Sequence, residues 1–157
     1  LIEGGDVALD EVFKAVNKAA ELLESDNQPR AILFETALHG ELLNLDEEDN
    51  KRHYAGGMSA NRINAGLGMI ISQLLEKVGK EKVAGLYTTG GDTMVNVCYQ
   101  LGVECIEVMD YVIPQTDVGR LVGSKYSGLP VVGKGGLTGN DNTACDIVSR
   151  LFRESAR

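Results

Sequence analysis

Two short stretches of the sequence pair glycines with residues that could bind an anion. The first is TTGGDT at residues 88–93, and the second is GKGGLTG at residues 133–139. Each follows an apolar run typical of a strand and precedes a run typical of a helix. A glycine turn at such a junction leaves backbone amides bare near the positive end of the helix dipole, where phosphate commonly binds. The two stretches therefore predict a phosphate-binding site.

The two stretches do not fit the common nucleotide motifs. Neither matches G-x-x-x-x-G-K-[ST] or G-x-G-x-x-G, so they form neither a P-loop nor a standard dinucleotide fingerprint. A single glycine turn after a strand often serves only to make the turn tight. Two of them, both at strand ends, favour a ligand, because open α/β sheets bind ligands beyond the carboxyl ends of their strands.

Two charged residues stand next to these glycines. Lys134 could neutralise a phosphate, or it could be a solvated surface lysine. Asp92 would repel a phosphate strongly where the dielectric is low. The conflict disappears if Asp92 caps the helix, accepts a hydrogen bond from ribose hydroxyls, or faces a Mg²⁺ ion that bridges phosphates. Thr93 could donate its hydroxyl to a phosphate or fill the first helical turn.

The apolar periodicity indicates strands that alternate with helices. The predicted helices span residues 8–24, 59–78 and 91–101 with a closing helix around 144–151, and the predicted strands span 30–36, 82–89, 103–113 and 129–134. Ser59 is predicted to cap the second helix, and the acidic stretch 41–51 to be a surface loop. This order predicts a single α/β domain over residues 1–157, with a largely parallel sheet flanked by helices on both faces.

Composition argues against several functions. The chain has 157 residues and a formal net charge of −8; without a basic excess or a long apolar run, neither nucleic acid nor a membrane is an expected partner. Cys98, Cys105 and Cys145 are widely spaced and indicate buried reduced thiols in a cytoplasmic protein. His39 and His53 stand alone and no serine lies in an elbow motif, so no metal ligand or catalytic residue is predicted.

Taken together, the two glycine stretches resemble motifs of the four-carbon acid sugar kinase family. In that family a strand is followed by T-G-G-[DE]-T and by a helix that ends in L-G, and further along by K-x-G-G-F-G. Here Thr89–Thr93 matches the first motif, and Leu101-Gly102 closes the helix. The segment 112–121 is similar to the link between the motifs. The family's phenylalanine is replaced, because this chain reads Leu137-Thr138-Gly139.

The resemblance is to the C-terminal nucleotide-binding domain of these kinases. It implies binding of ATP and Mg²⁺ in an enzyme that phosphorylates tetronate or 3-oxo-tetronate. Together with the glycine stretches, it predicts that the nucleotide contacts Thr89, Gly90, Gly91, Asp92, Thr93, Lys134, Gly135, Gly136 and Gly139. The sugar acid would bind an N-terminal domain that this sequence lacks, so the isolated domain should bind nucleotide without turning over substrate.

The beginning of the chain and two rival functions bear on this prediction. The chain opens on Leu1, and Gly4-Gly5-Asp6 is typical of the tail of a linker, which favours a domain from a longer protein. A homodimer is a further expected partner arrangement. The same loops could also belong to a non-catalytic module that senses a nucleotide or a phosphometabolite. Alternatively, the glycines could serve packing alone in a domain whose role is assembly.

Overall fold

A computed structural model describes residues 1–37 and 39–156. The helices are α1 (Gly5–Glu24), α2 (Leu45–Arg52), α3 (Met58–Val78), α4 (Gly91–Gln100) and α5 (Thr143–Ser155). The strands are β1 (Leu86–Thr89), β2 (Cys105–Ile113), β3 (Thr116–Val122) and β4 (Pro130–Lys134). The four predicted helices are confirmed as α1, α3, α4 and α5, and three of the predicted strands as β1, β2 and β4. Within the described residues, no helix has the length and apolar character needed to cross a membrane.

The sheet is mixed, and the prediction of a largely parallel sheet is wrong. Its strand order is β1-β4-β3-β2, with β1 and β4 parallel and the other two pairs antiparallel. Parallel neighbours need a crossover of about a dozen residues or more. β2 turns into β3 through Pro114 and Gln115, and residues 123–129 join β3 to β4. Both links are too short for a crossover, so the chain must reverse at each of them.

Helices pack on both faces of the sheet, as predicted. Alternate residues of a strand point to opposite faces, so Val131 and Val132 of β4 enter different clusters. One cluster joins the sheet to α3 and α4 and contains Leu75, Leu86, Val97, Leu101, Leu121, Tyr126, Leu129 and Val131; the other joins it to α5 and contains Val118, Val132, Ile147 and Leu151. α4 begins directly after β1 ends, and α5 follows β4, so both helices lead away from the same edge of the sheet.

Residues 30–36 do not form the predicted strand. Ile32 and Phe34 pack against α1 and α3, whereas Leu33 between them is exposed. The side-chain alternation that predicts a strand is therefore present. In the part of the chain that the structure describes, however, this segment pairs with no strand of the sheet, and a strand requires a neighbour that supplies ladder hydrogen bonds.

The predicted loop 41–51 is also corrected, because much of it forms α2. Asn44 caps this helix with its side-chain oxygen. Asp49 is buried, and its two carboxylate oxygens accept hydrogen bonds from the amides of Gly57 at 2.7 Å and Ser59 at 2.8 Å. Asp49 thus satisfies the first amides of α3, the role that the sequence assigns to Ser59.

Replacing Asp49 with asparagine should destabilise the domain in a pH-dependent way. The Ser59 hydroxyl beside the carboxylate and the hydrogen bonds from neighbouring backbone amides hold the pKa of Asp49 below its usual value of 3.8. A pKa that is lower in the folded than in the unfolded chain stabilises the fold above about pH 4, and this contribution disappears as the pH falls through the folded-state value. Urea unfolding at neutral pH should therefore give a lower free energy of unfolding for Asp49→Asn than for wild type. This difference in free energy should narrow at about pH 3.

Asp46→Asn provides the control for this experiment, because Asp46 is an exposed carboxylate of the same helix. We expect it to change the free energy of unfolding little at either pH. If the free energy of unfolding of Asp49→Asn differs from that of wild type by the same amount at both pH values, the capping role of the Asp49 carboxylate is contradicted.

The three cysteines are free, as predicted, but two of them are not buried. Cys98 lies half-buried in α4, and burial raises the pKa of its thiol. Cys105 begins β2, which lies at the edge of the sheet, and Cys145 lies on α5; both are exposed. The prediction of buried thiols therefore fails at the edge strand and at the outer side of α5.

Candidate phosphate-binding site

The two glycine segments leave the same edge of the sheet side by side. We call residues 89–93 the first loop and residues 134–139 the second loop. Thr89 and Lys134, the last residues of the parallel strands β1 and β4, are paired in the ladder. The amide of Gly90 donates to the carbonyl oxygen of Lys134 at 3.1 Å. The two loops therefore begin within one hydrogen bond of each other, which is what a shared ligand requires.

The first loop presents backbone amides at the start of α4. Gly90 is the N-cap and has no side chain to accept hydrogen bonds from them. The amide of Met94 makes the first hydrogen bond of the helix, to the carbonyl oxygen of Gly90 at 3.1 Å. The amides of residues 91–93 precede that bond, so the helix itself offers them no acceptor. Together with the helix dipole they favour an anion at this point.

The glycines of the two loops are of two kinds. Gly90 and Gly139 have φ angles of 91° and 107°, a left-handed backbone conformation that favours glycine. At Gly91 and Gly136 the backbone makes no such demand, and a Cβ atom built on either residue would meet no atom within 4 Å. A side chain would fit at these two positions, so their glycines keep the space in front of the loops open.

Packing against α3 fixes the position at which α4 begins. The hydroxyl of Thr93 donates to Oδ1 of Asn64 at 2.8 Å. Further along the helices, a Cβ on Gly68 would lie 2.8 Å from the carbonyl oxygen of Asn96, so glycine permits this close approach. In this structure Thr93 therefore anchors the first turn of α4 to α3. Asn64 carries no signal in the local sequence, because its partner Thr93 lies on another helix.

The charged residues of the loops, Asp92 and Lys134, occupy different surroundings. Asp92 is exposed in the first turn of α4, and its carboxylate makes no hydrogen bond or ion pair with residues 1–37 or 39–156. Because Gly90 is the N-cap, Asp92 is not the cap of this helix. Lys134 is half-buried, and its Nζ donates to the carbonyl oxygen of Gly135 at 2.8 Å. The ammonium group has three donors, so two of them are left for other acceptors when one is used on this carbonyl.

The second loop is braced by the turn between β2 and β3. The amide of Gly135 donates to the carbonyl oxygen of Gln115 at 3.0 Å. Within the loop, the hydroxyl of Thr138 lies 3.4 Å from the carbonyl oxygen of Gly135, and Leu137 is fully exposed. This hydrogen bond between the turn and the second loop was not predicted, because residues 112–121 are interpreted from the sequence as a link between the two motifs.

Two buried threonine hydroxyls near the loops lack a hydrogen-bond partner among residues 1–37 and 39–156. Thr88 directly precedes the first loop, and Thr116 is paired with Lys134 across β3 and β4. Neither Oγ1 atom has a partner, although buried hydroxyls in folded proteins are normally hydrogen-bonded. At this edge of the sheet, two buried hydroxyls are therefore available for hydrogen bonding, in addition to the backbone amides of the first loop.

The residues at the loops fit a Mg²⁺ ion that is held mainly by phosphates. In the described ranges, no group of three or more histidine, cysteine, aspartate and glutamate residues could hold a metal by itself. Mg²⁺ commonly binds through one or two carboxylates together with substrate phosphates. Asp92 offers one such carboxylate, which is exposed and has no partner in the described part of the chain.

The mixed sheet with helices on both faces, and the bare amides at one of its edges, define an α/β domain suited to a phosphorylated ligand. Residues 1–144 match the nucleotide-binding C-terminal domain family, and the chain belongs to that family.

The chain is similar to two kinases named for four-carbon sugar acids. It is 44% identical over 93 residues to the D-erythronate kinase of Heliobacterium modesticaldum, and this match covers 59% of the present chain and 21% of the kinase. It is 30% identical over 144 residues to the D-threonate kinase of Salmonella typhimurium, which covers 91% of this chain and 33% of the kinase. The predicted resemblance to four-carbon acid sugar kinases is thereby confirmed, and the chain spans at most a third of the length of these relatives.

Two crystal structures of a domain of unknown function from Bordetella bronchiseptica share the fold. Their TM-scores are 0.57 and 0.59 at 25% identity, and the match covers 96% and 94% of this chain and 38% of the solved chain. Both contain bound citrate and are described as domain-swapped dimers.

Proposed function

We propose that this domain binds the ATP with which a longer kinase phosphorylates a four-carbon sugar acid. The pairing of Thr89 with Lys134 carries the proposal, because it sets two glycine loops side by side at one sheet edge. The amides of residues 91–93 and the open space at Gly91 and Gly136 suit a polyphosphate. The relatives are named for D-erythronate and D-threonate, which supports the substrate class.

The chain's own residues would hold and orient the nucleotide. Phosphoryl transfer requires a positioned polyphosphate and stabilisation of its charge, with little covalent chemistry from the protein. The amides of the first loop would donate to phosphate oxygens, and Lys134 would add a positive charge. Asp92 would contact either the ribose or Mg²⁺. When bound, Mg²⁺ would neutralise phosphate charge.

The rest of the catalytic machinery lies outside residues 1–157 in this proposal. The chain spans 21% and 33% of the two kinases to which it is similar. We infer that an N-terminal domain supplies the sugar-acid site and the catalytic base, and that closure of the two domains excludes water. The isolated domain would then bind ATP without transferring phosphate. We also propose a cytoplasmic protein, and a homodimer by analogy with the domain-swapped solved structures.

Calorimetric titration of the domain with ATP and Mg²⁺ tests the nucleotide part of the proposal. We expect ATP to bind, and D-erythronate or D-threonate to yield no ADP with the domain alone. If no nucleotide binds, the proposal is wrong.

Measuring ADP release by the full-length protein tests the kinase part. We expect release that depends on D-erythronate, D-threonate or a 3-oxo-tetronate. Nucleotide binding without ADP release from any of these acids would contradict the kinase assignment and favour a sensing module.

A further inference from the structure

The turn between β2 and β3 contains a non-glycine residue in a conformation that favours glycine. Pro114 and Gln115 connect the two strands, and Gln115 has a φ of 62°. A proline followed by a residue with positive φ is typical of a type II turn, which strongly favours glycine at that second position. A glutamine there is strained, so an advantage other than the turn itself should explain its presence.

A comparison with His53 shows why Gln115 is unusual. His53 and Gln115 are the non-glycine residues with positive φ in the part of the chain that the structure describes. His53 is the C-cap of α2, and its amide donates to the carbonyl oxygen of Asn50. A left-handed residue is common at a helix end, so the conformation of His53 has a local explanation. The hairpin turn offers no such explanation for the side chain of Gln115.

The side chain of Gln115 lies against the second loop. A Cβ built on Gly135 would be 3.4 Å from Oε1 of Gln115, and the amide of Gly135 donates to the Gln115 carbonyl oxygen at 3.0 Å. Gln115 is nonetheless exposed to solvent. The neighbouring Thr116 is fully buried with an unpartnered hydroxyl, opposite Lys134 in the ladder. The turn therefore places an exposed carboxamide at the edge of the candidate site.

We propose that the side-chain amide of Gln115 donates a hydrogen bond to a phosphate oxygen of the nucleotide at the second loop. This inference rests on the proposed function. A carboxamide NH₂ group supplies donors without a charge, and here it lies against Gly135, in the loop that would hold the phosphates. Gln115 would be a third binding element beside the two glycine loops.

The test measures the affinity of wild type, Gln115→Gly and Gln115→Ala for two probes in the presence of Mg²⁺. ATP contains all the contacts, whereas inorganic tripolyphosphate contains the phosphates alone. We expect both substitutions to raise the Kd about tenfold or more, by a similar factor for both probes, because a hydrogen bond to a charged group is lost. The melting temperature of Gln115→Gly should not fall, because glycine relieves the left-handed strain; His53→Gly calibrates that effect on stability.

The outcomes separate this inference from the proposed function. Wild-type protein that binds neither ATP nor tripolyphosphate overturns both. Wild-type binding that both variants retain in full overturns the role of Gln115 alone. Weakened binding in Gln115→Gly with normal binding in Gln115→Ala would also overturn it, since flexibility of the turn, rather than the carboxamide, would then be responsible. An effect on ATP that is absent for tripolyphosphate would overturn the assignment to phosphate.

Discussion

Gly91→Val should weaken ATP binding roughly 100-fold without unfolding the domain. The valine would project into the space in front of the first loop, where a Cβ meets no protein atom within 4 Å. It would hold the phosphates away from the amides of residues 91–93, and losing one or two hydrogen bonds to a charged ligand raises the Kd roughly 100-fold. Calorimetric titration with ATP and Mg²⁺ measures the loss, and thermal unfolding should show a change of no more than about 3 °C.

Gly56→Val is the matched control for this substitution. Gly56 also lacks a positive φ, and its Cβ would likewise meet no atom within 4 Å, but it belongs to neither loop. We expect this variant to fold and to bind ATP like wild type. An unchanged Kd for ATP in Gly91→Val would show that the phosphates do not approach the first loop.

Val97→Ala should destabilise the domain by about 2 kcal/mol, because it removes buried methyl groups and leaves a cavity. Val97 lies in α4 and is 3% exposed, within the cluster that joins this helix to α3 and the sheet. Since α4 carries the amides of the first loop, this cluster holds the candidate site in place. Urea unfolding gives the free energy of unfolding directly.

Val95→Ala makes the same chemical change two residues away. Val95 is 67% exposed on the same helix, so we expect a change within about 0.5 kcal/mol. Equal losses for the two variants would show that α4 does not pack through Val97 as described.

The position of the two loops could be predicted because it follows from local sequence. An apolar run, a glycine pair and an amphipathic helix together specify a strand end and a helix start. The prediction of one phosphate site from two glycine stretches rests on a largely parallel sheet, in which the carboxyl ends of the strands lie together. The sheet is mostly antiparallel, yet β1 and β4 are its one parallel pair, so these two loops are neighbours. That the loops bind nucleotide stays a prediction.

β3 could have been recognised from the turn that precedes it, although its glycine obscures the strand pattern. Pro114 and Gln115 separate two segments with strand-like residues, as in a hairpin. Gly119 interrupts the second segment and makes it look like a linker. In the structure, a Cβ at Gly119 would lie 2.5 Å from the carbonyl oxygen of Glu107, so this glycine marks a close approach of two strands.

The remaining differences depend on contacts between residues distant in sequence. Residues 30–36 have the alternation of a strand, but pairing requires a neighbour that periodicity cannot reveal. Asp49 caps a helix that begins nine positions later, at Met58, whereas local capping signals lie immediately before the first helical residue. The brace between Gln115 and Gly135 likewise depends on how the hairpin packs beside β4.

A crystal structure of the domain with Mg²⁺ and a non-hydrolysable ATP analogue would show whether the two loops hold the phosphates of the nucleotide. We expect phosphate oxygens within hydrogen-bonding distance of the amides of residues 91–93, with the second loop on the other side of the same phosphates. A nucleotide bound elsewhere, with those amides still facing solvent, would contradict it.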